Sequence, residues 1–276
     1  MDDSMLTFRR FHFVHRFLDA ILLGLGRRFH TLALPSYFNG KWVWFSVQGW
    51  QSIVDRYEPY MATAIRNNLR RGDVFVDVGA HFGPWSVFAA RIVGERGTVF
   101  AFEPSAAFNV LNENASLNSP IKPFNIGLGS EDGTASFFAQ GNARSGSLVD
   151  SVTQINRKYQ PSVPITKIQI KVRSLDSIFA EIGITPNVIK VDVEGFEYEV
   201  LRGAANLIRT TRPVWVVEIH PPQLKLSGSS ELAVLDFFKT NNYAIEVIDR
   251  NPNSLFTILA KSAGTNKDEF PESIKR

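Results

Sequence analysis

Four groups of acidic residues, glycines and histidines could carry out chemistry in this sequence. They are the stretches 77–83 in "VDVGAHFG", 101–104 in "AFEP", 192–197 in "DVEGFE" and 216–221 in "VVEIHP". Carboxylates and imidazoles accept protons, bind cations and hold hydroxyl groups. Each group follows a short run of Val, Ile and Phe, which predicts a buried strand. The four groups therefore predict one site that several strand ends build together.

The elements that would position these groups alternate along the chain. Apolar runs at 73–79, 97–104, 122–129, 187–195 and 213–221 predict strands. Helices are predicted after Pro84 and over 106–118, 197–211 and 231–242, with a hairpin at 133–148 and a terminal strand pair at 243–250 and 254–262. This alternation indicates an α/β fold, Rossmann-like, with a mostly parallel sheet and helices on both faces. In such sheets ligands bind beyond the carboxyl ends of the strands, where the strand order reverses.

The turn after the first of these strands has the spacing D-x-G-x-x-x-G, formed by Asp77, Gly79 and Gly83. A dinucleotide fingerprint, G-x-G-x-x-G, has a middle glycine that is absent here. The Asp77 carboxylate would also repel phosphate and favour a cationic ligand. Glu103, which lies 20 residues after Gly83, can accept hydrogen bonds from both hydroxyls of a ribose. A ligand with a ribose, a positive charge and no phosphate is S-adenosylmethionine.

The order of the motifs resembles the FkbM-family methyltransferases over roughly residues 57–220. The resemblance is carried by "YEP" (57–59), "VDVGAHFG", "AFEP", "LNENASLN" (111–118), "GLGSEDG" (127–133), "SGSL" (145–148), "VRSLDSI" (172–178), "IKVDVEGFEYEVLRGA" (189–204) and "VVEIHP". It implies a class I methyltransferase fold of seven strands, the last one antiparallel. It also implies O-methylation, usually of a hydroxyl on a sugar or a polyketide-type small molecule. Two departures are His81, where many members have Asn, and the segment 174–176, where many have "TLD".

The expected cofactor residues surround the glycine turn and the next strand ends. They are Glu58, Asp77, Gly79, Ala80, His81, Gly83, Glu103, Pro104 and Asp192.

The expected catalytic residues are Asp192, Glu194, Glu218 and His220. Along an extended strand Lys190, Asp192 and Glu194 would point the same way, since side chains alternate with a period of two. We expect Asp192 to face the methionine end of the cofactor or the acceptor hydroxyl, with Glu194 as second choice. A histidine such as His220 can act as a general base.

Two functional assignments stay open at this point. Asp192, Glu218 and His220 could hold a divalent cation such as Mg²⁺, although their spacing forms no compact metal motif. Glu197, at the start of a predicted helix, could either assist the site or stabilise the positive end of that helix.

Residues 1–56 break the alternating pattern and are predicted to form a basic and aromatic N-terminal extension or lid. A methyltransferase domain at 57–262 and a polar tail at 263–276 would follow. Residues 1–41 carry six basic and three acidic residues, an excess equal to the net charge of the chain, +3. The stretch "FLDAILLGLG" (17–26) is too short to span a bilayer. It fits an amphipathic helix on an anionic membrane surface, or a helix docked on the protein's own core or on a second subunit.

The three tryptophans Trp42, Trp44 and Trp50 in this extension could stack on a sugar ring or could belong to the core.

The amino-acid composition excludes some classes of partner and of catalytic chemistry. The 30 basic and 27 acidic residues are too balanced to indicate a nucleic-acid partner, and the absence of cysteine excludes disulfides and a thiol nucleophile. Because neither a secretory signal nor a membrane span is visible in the sequence, we expect a cytoplasmic protein. A homo-oligomer remains compatible with the sequence.

Two alternatives to a methyltransferase remain. One is an NAD(P)-dependent oxidoreductase, which the missing middle glycine disfavours. The other is an inactive nucleotide-binding scaffold, which the intact acids at all four strand ends disfavour.

Overall fold

The computed structural model describes residues 33–52, 57–140, 145–148, 164–250 and 255–263. The helix predicted at 17–26 and nearly all of the predicted tail lie outside these ranges. Within them, no helix combines the length and the apolar character that crossing a bilayer requires.

A seven-stranded sheet forms the centre of the fold. In spatial order its strands are β5 (Ile121–Phe124), β4 (Thr98–Phe102), β3 (Val74–Val78), β10 (Val188–Val191), β11 (Val214–Ile219), β13 (Phe256–Ser262) and β12 (Tyr243–Arg250). Within this sheet only β13, the last strand of the described chain, points opposite to the other strands. The prediction of a mostly parallel sheet with an antiparallel last strand is confirmed.

Helices cover both faces of this sheet. They are α1 (Pro59–Asn68), α2 (Pro84–Val93), α3 (Phe108–Leu117), α4 (Leu175–Ile182), α5 (Glu197–Arg202), α6 (Ala205–Thr210), α7 (Pro221–Leu226) and α8 (Glu231–Thr240). Strand side chains alternate between two apolar cores. Phe75 and Val188 pack in the core that contains α1, α2 and α3, whereas Val76 and Ile189 pack in the core that contains α4, α5, α6 and α8. Asp77 and Lys190, two residues further along their strands, therefore fall on the α1–α3 face.

One predicted strand and one predicted helix are divided in the structure, and a second predicted strand ends early. The strand predicted at 122–129 divides into β5 and β6 (Gly127–Leu128), and β6 belongs to a second sheet. The helix predicted at 197–211 is interrupted after Arg202, where Gly203 lies so close to the carbonyl oxygen of Gly129 that any side chain would overlap it.

The strand predicted at 187–195 ends at Val191, so Asp192 and Glu194 belong to the loop that follows β10. Glu194 and Gly195 have φ angles of 53° and 97°. This left-handed backbone cannot continue a strand. The alternation argument therefore applies to Lys190 but not to Glu194.

The second sheet has the order β6, β9 (Ile165–Arg173), β7 (Gly133–Gln140) and β8 (Ser145–Ser147). Strands β7 and β8 pair antiparallel, which confirms the predicted hairpin at 133–148. Residues of this hairpin reach the cavity described below.

Strands β1 (Ala33–Phe38) and β2 (Lys41–Ser46) form an antiparallel hairpin, followed by a 3₁₀ helix at Val47–Ser52. The inner face of the hairpin packs into the same core as α2 and α3, and none of its described residues lines the cavity. Trp42 and Trp44 are 64% and 52% exposed. They therefore belong to neither the core nor the cavity wall. The side chain of Trp50 lies outside the described part of the protein.

Candidate active site

A cavity of about 330 Å³ opens at the carboxyl ends of β3, β4 and β10. The strand order reverses here, because β4 lies on one side of β3 and β10 lies on the other. Both its position and its volume are typical of small-molecule sites. Of the residues singled out from the sequence, its lining contains Gly79, Ala80, His81, Glu103, Pro104, Asp192 and Glu194.

The turn between β3 and α2 forms the floor of the cavity and depends on left-handed backbone at three residues. Gly79, His81 and Gly83 have φ angles of 74°, 53° and 86°. A Cβ atom at Gly79 would overlap the carbonyl oxygen of Asp192, so this turn packs directly on the loop after β10. Histidine and asparagine both enter the left-handed region more readily than most residues. The presence of His81 where the resemblance predicts Asn is therefore compatible with the same turn.

The backbone amides of this turn are already engaged within the protein. Those of Gly79 and Ala80 donate to the carbonyl oxygen of Phe102, and that of Gly83 donates to Ala80. The amide of His81 donates to Glu103 Oε2 at 2.8 Å. A phosphate-binding loop needs such amides for its ligand. These four amides are not available to hold a pyrophosphate.

Glu103 is buried at the cavity wall and anchored by two backbone amides. Besides the bond from His81, its Oε1 accepts from the amide of Ser105 at 2.9 Å. Asn125 donates to the Glu103 carbonyl oxygen at 2.9 Å and holds the end of the strand. A carboxylate offers about four lone-pair sites. Glu103 therefore retains acceptor capacity for the hydroxyl groups of a ligand.

Asp77, by contrast, does not line the cavity. Its side chain is fully buried, accepts a hydrogen bond from Ser86 Oγ at 2.6 Å and lies 3.1 Å from Lys190 Nζ. Lys190 also donates to the carbonyl oxygen of Gly79 at 3.0 Å. Asp77 therefore lies beneath the turn and acts on it through Lys190. It does not present its charge to a ligand.

The role of Lys190 was not assigned from the sequence, although a signal was present. Lys190 and Asp77 are register partners on the neighbouring strands β10 and β3. Both strands are otherwise apolar, and two opposite charges at the same depth must pair because an unpaired buried charge is costly. The charges of the surrounding acids and of Asp77 raise the pKa of Lys190 against the opposing effect of burial.

Asp192 lies between the two basic side chains of the site. Its Oδ2 is 3.6 Å from Lys190 Nζ, and its Oδ1 is 3.8 Å from His220 Nε2. The side chain is 30% exposed and reaches the cavity. The Asp192 carboxylate therefore reaches the cavity from a position between two basic groups.

His220 follows β11 at the start of α7 and is buried. Its Nδ1 lies 2.7 Å from Oε1 of Glu197, which is fully buried and also accepts from the amide of Gly195. Burial lowers the pKa of His220, but the hydrogen bond to Glu197 and the charges of Glu197, Glu194 and Asp192 together raise it to about 10. Glu197 thus orients the imidazole instead of facing solvent at a helix end.

The remaining acids of the site have raised pKa values. Burial and the charge of Asp192 raise the pKa of Glu218 to about 8. Burial is also the main cause of the raised pKa of Glu194 and of Glu58, which precedes α1 and hydrogen-bonds to Tyr57 and Trp85. Glu218 and Glu58 lie near Asp192 but outside the cavity lining.

The site as a whole has an excess of negative charge. Six carboxylates surround Lys190 and His220, and they are Glu58, Asp77, Asp192, Glu194, Glu197 and Glu218. Lys190 is paired with Asp77, and His220 with Glu197. Such a site favours a cationic ligand and can accept a proton from one.

Comparison with known proteins identifies similar chains. Residues 77–245, more than half of the sequence, match the family described as "Methyltransferase FkbM domain". The chain is 32% identical over 212 residues to the hexuronic acid methyltransferase AglP of Haloferax volcanii, covering 75% of this chain and 82% of that protein. It is 30% identical over 142 residues to "Methyltransferase 1" of Beauveria bassiana, of which it spans 57%.

Among solved structures, the crystal structure of methyltransferase FkbM from Methylobacillus flagellatus aligns with 70% of this chain and 44% of its own. The TM-score is 0.45 and the sequence identity 19%.

Proposed function

The chain belongs to the FkbM methyltransferase family, and we propose that it transfers a methyl group from S-adenosylmethionine to a hydroxyl of a sugar, glycan or polyketide-type small molecule. The observation that carries this proposal is the composition of the cavity wall. It presents the carboxylates of Glu103, Asp192 and Glu194, while the adjacent turn amides are bonded internally. This wall suits a cationic, ribose-bearing donor and disfavours a pyrophosphate.

In this proposal the Glu103 carboxylate accepts hydrogen bonds from the two ribose hydroxyls of the methyl donor, S-adenosylmethionine. The apolar part of the cavity, lined by Phe102, Ile126, Leu128 and Phe137, receives the adenine ring. Gly79, Ala80 and His81 form the surface on which the ribose and methionine portions lie. The positive charges of the donor, its ammonium and sulfonium groups, then face the acids after β10.

The transfer itself requires that the acceptor oxygen lie in line with the methyl carbon and its sulfur. The oxygen forms a bond to the methyl carbon while the carbon–sulfur bond breaks and its electron pair passes to sulfur. The hydroxyl proton passes to Asp192 or Glu194, which both reach the cavity. His220, with a pKa of about 10, is protonated at neutral pH. It is therefore better suited to holding the acids in place than to accepting this proton.

The acceptor class follows from the relatives. AglP is described as a hexuronic acid methyltransferase, and we propose a sugar or a similarly hydroxylated small molecule for this chain. The hairpin β7–β8 also brings Gly146 and Ser147 to the cavity. Together with Tyr57 on the α1 side, these residues are candidates for enclosing the acceptor.

The proposal is tested by calorimetry with S-adenosylmethionine and with NAD, followed by transfer of a labelled methyl group to a panel of sugars and polyketide-type hydroxyl compounds. We expect binding of S-adenosylmethionine, no binding of NAD, and label in at least one acceptor. Tighter binding of NAD would overturn the proposal. Donor binding without transfer to any acceptor, including a cell extract, would favour the inactive scaffold.

We expect the change Glu103→Gln to raise the dissociation constant for S-adenosylmethionine by about 10- to 100-fold, because hydrogen bonds to a charged group contribute roughly 1.5–3 kcal/mol. The amide can also satisfy only one of the two backbone donors that Glu103 now accepts. Calorimetric titration measures the change, and Glu246→Gln on the exposed surface of β12 is the matched control. Equal affinity of the Glu103→Gln variant and the parent would remove Glu103 from the donor site.

A further inference from the structure

We propose that Asp192, Glu218 and His220 bind a divalent cation beside the donor cavity, and that this cation holds the acceptor oxygen. The role given to the cation rests on the proposed function, but its binding does not. The three residues are called the cation triad below.

The distances within the cation triad fit a metal ion. Each residue offers one ligand atom, and the three atoms lie within 4.8 Å of one another. Divalent cations such as Mg²⁺ have metal–oxygen distances of about 2.1 Å, so two ligand atoms lie about 3–4.2 Å apart. Because the separations reach up to 4.8 Å, side-chain movements of roughly half an ångström would close the site.

The orientation of His220 is a second, independent sign of a ligand. Its Nδ1 is bonded to Glu197, whose carboxylate is buried and anchored by the Gly195 amide. Nε2 consequently points toward Asp192 and Glu194, at 3.8 and 3.6 Å, and among the described residues it has no hydrogen-bond partner. A carboxylate bonded to one imidazole nitrogen while the other faces further acids is the usual surrounding of a metal-bound histidine.

The charge around the triad also favours a cation. Asp192 and Glu218 are joined by the nearby carboxylates of Glu58 and Glu194. The ammonium of Lys190 is shared with Asp77 and with the Gly79 carbonyl. A metal ion on Nε2 would face these acids in place of a proton, because a metal-bound imidazole is neutral.

The location of the triad relates it to the transfer reaction. The donor cavity lies over β4, β3 and β10, whereas Glu218 and His220 follow the next strand, β11. Asp192 belongs to the donor cavity and to the cation triad, because it lines the cavity and supplies one ligand of the triad. A cation here would stand at the boundary between the donor and the acceptor.

A cation in this position would bind the acceptor hydroxyl as a Lewis acid and make it easier to deprotonate. The oxygen attacks the methyl carbon, the carbon–sulfur bond breaks with its electron pair passing to sulfur, and the hydroxyl proton passes to Glu194. With two carboxylates and one imidazole, the ligand set suits Mn²⁺ better than Mg²⁺, because Mg²⁺ prefers oxygen ligands alone.

The test is a titration of the full chain with Mn²⁺ after the protein has been dialysed against EDTA. The electron paramagnetic resonance signal of free Mn²⁺ measures how much of the added metal stays unbound. We expect one equivalent of Mn²⁺ to bind per chain. Glu218→Gln and His220→Gln should each weaken binding by at least about 10-fold, and Glu197→Gln by about 10- to 100-fold through misorientation of His220. Glu246→Gln on the exposed surface should bind as the parent does. Unfolding temperatures show whether each variant is folded.

The two proposals fail in different ways. If the folded parent binds no Mn²⁺, or if Glu218→Gln and His220→Gln bind it as the parent does, the cation triad is overturned, while donor binding and transfer in EDTA still support a methyltransferase. If Mn²⁺ binds at the triad but S-adenosylmethionine does not bind, the proposed donor is wrong and the metal site stands.

Discussion

Replacing Lys190 with methionine is expected to lower the free energy of unfolding by about 3–5 kcal/mol. Lys190 is 2% exposed and Asp77 is fully buried, so the substitution leaves a carboxylate in the interior with Ser86 as its remaining donor. Since domains are stable by only about 5–15 kcal/mol, this would be among the largest effects of a single change. Equilibrium unfolding in urea measures it.

The control for this prediction is the double variant Lys190→Met with Asp77→Asn. Removing both charges eliminates the unpaired carboxylate, and we expect it to recover most of the lost stability. If the double variant is no more stable than Lys190→Met alone, the ion pair is not what makes the lysine important. Donor affinity of the double variant then reports the separate contribution of the bond from Lys190 to the Gly79 carbonyl.

The change Asp192→Asn is expected to lower kcat for methyl transfer by about 10²–10⁴-fold, because it removes the cavity carboxylate that we propose either accepts the hydroxyl proton or holds the cation beside the acceptor. The substitution keeps the size of the side chain but removes the charge between Lys190 and His220. Because Glu103 and the turn remain, the affinity for S-adenosylmethionine should change much less than the turnover. Single-turnover transfer and calorimetry separate the two quantities.

Asp236→Asn is the matched control, since its side chain is 68% exposed on α8. We expect its turnover to equal that of the parent. An Asp192→Asn variant that retains parental turnover would exclude Asp192 from the reacting centre.

The fold could be predicted well because its signals are local. Strands β3, β4 and β11 appear as apolar runs, and Pro84 marks the start of α2. The element breaks at Gly203 and after Val191 could not be predicted in the same way. They depend on contacts with distant segments, such as the Gly129 carbonyl against Gly203.

The location of the site was likewise predictable, because the four groups follow neighbouring strands whose carboxyl ends meet. Which way a side chain points was harder to predict. Asp77 belongs to the predicted motif, yet its partner Lys190 lies 113 residues further along the chain, and only the register of β3 with β10 brings them together. Glu197 was ambiguous for a similar reason, since its partner His220 follows a different strand.

In the proposed function, the contact between Gly79 and the backbone of Asp192 joins the donor surface and the reacting acid at one junction. A substitution that enlarges residue 79 would shift the peptide that carries the reactive acid. The Ser147 hydroxyl of the β7–β8 hairpin donates to the Glu194 carbonyl oxygen at 2.9 Å, so a change at that end of the hairpin would reach the same loop.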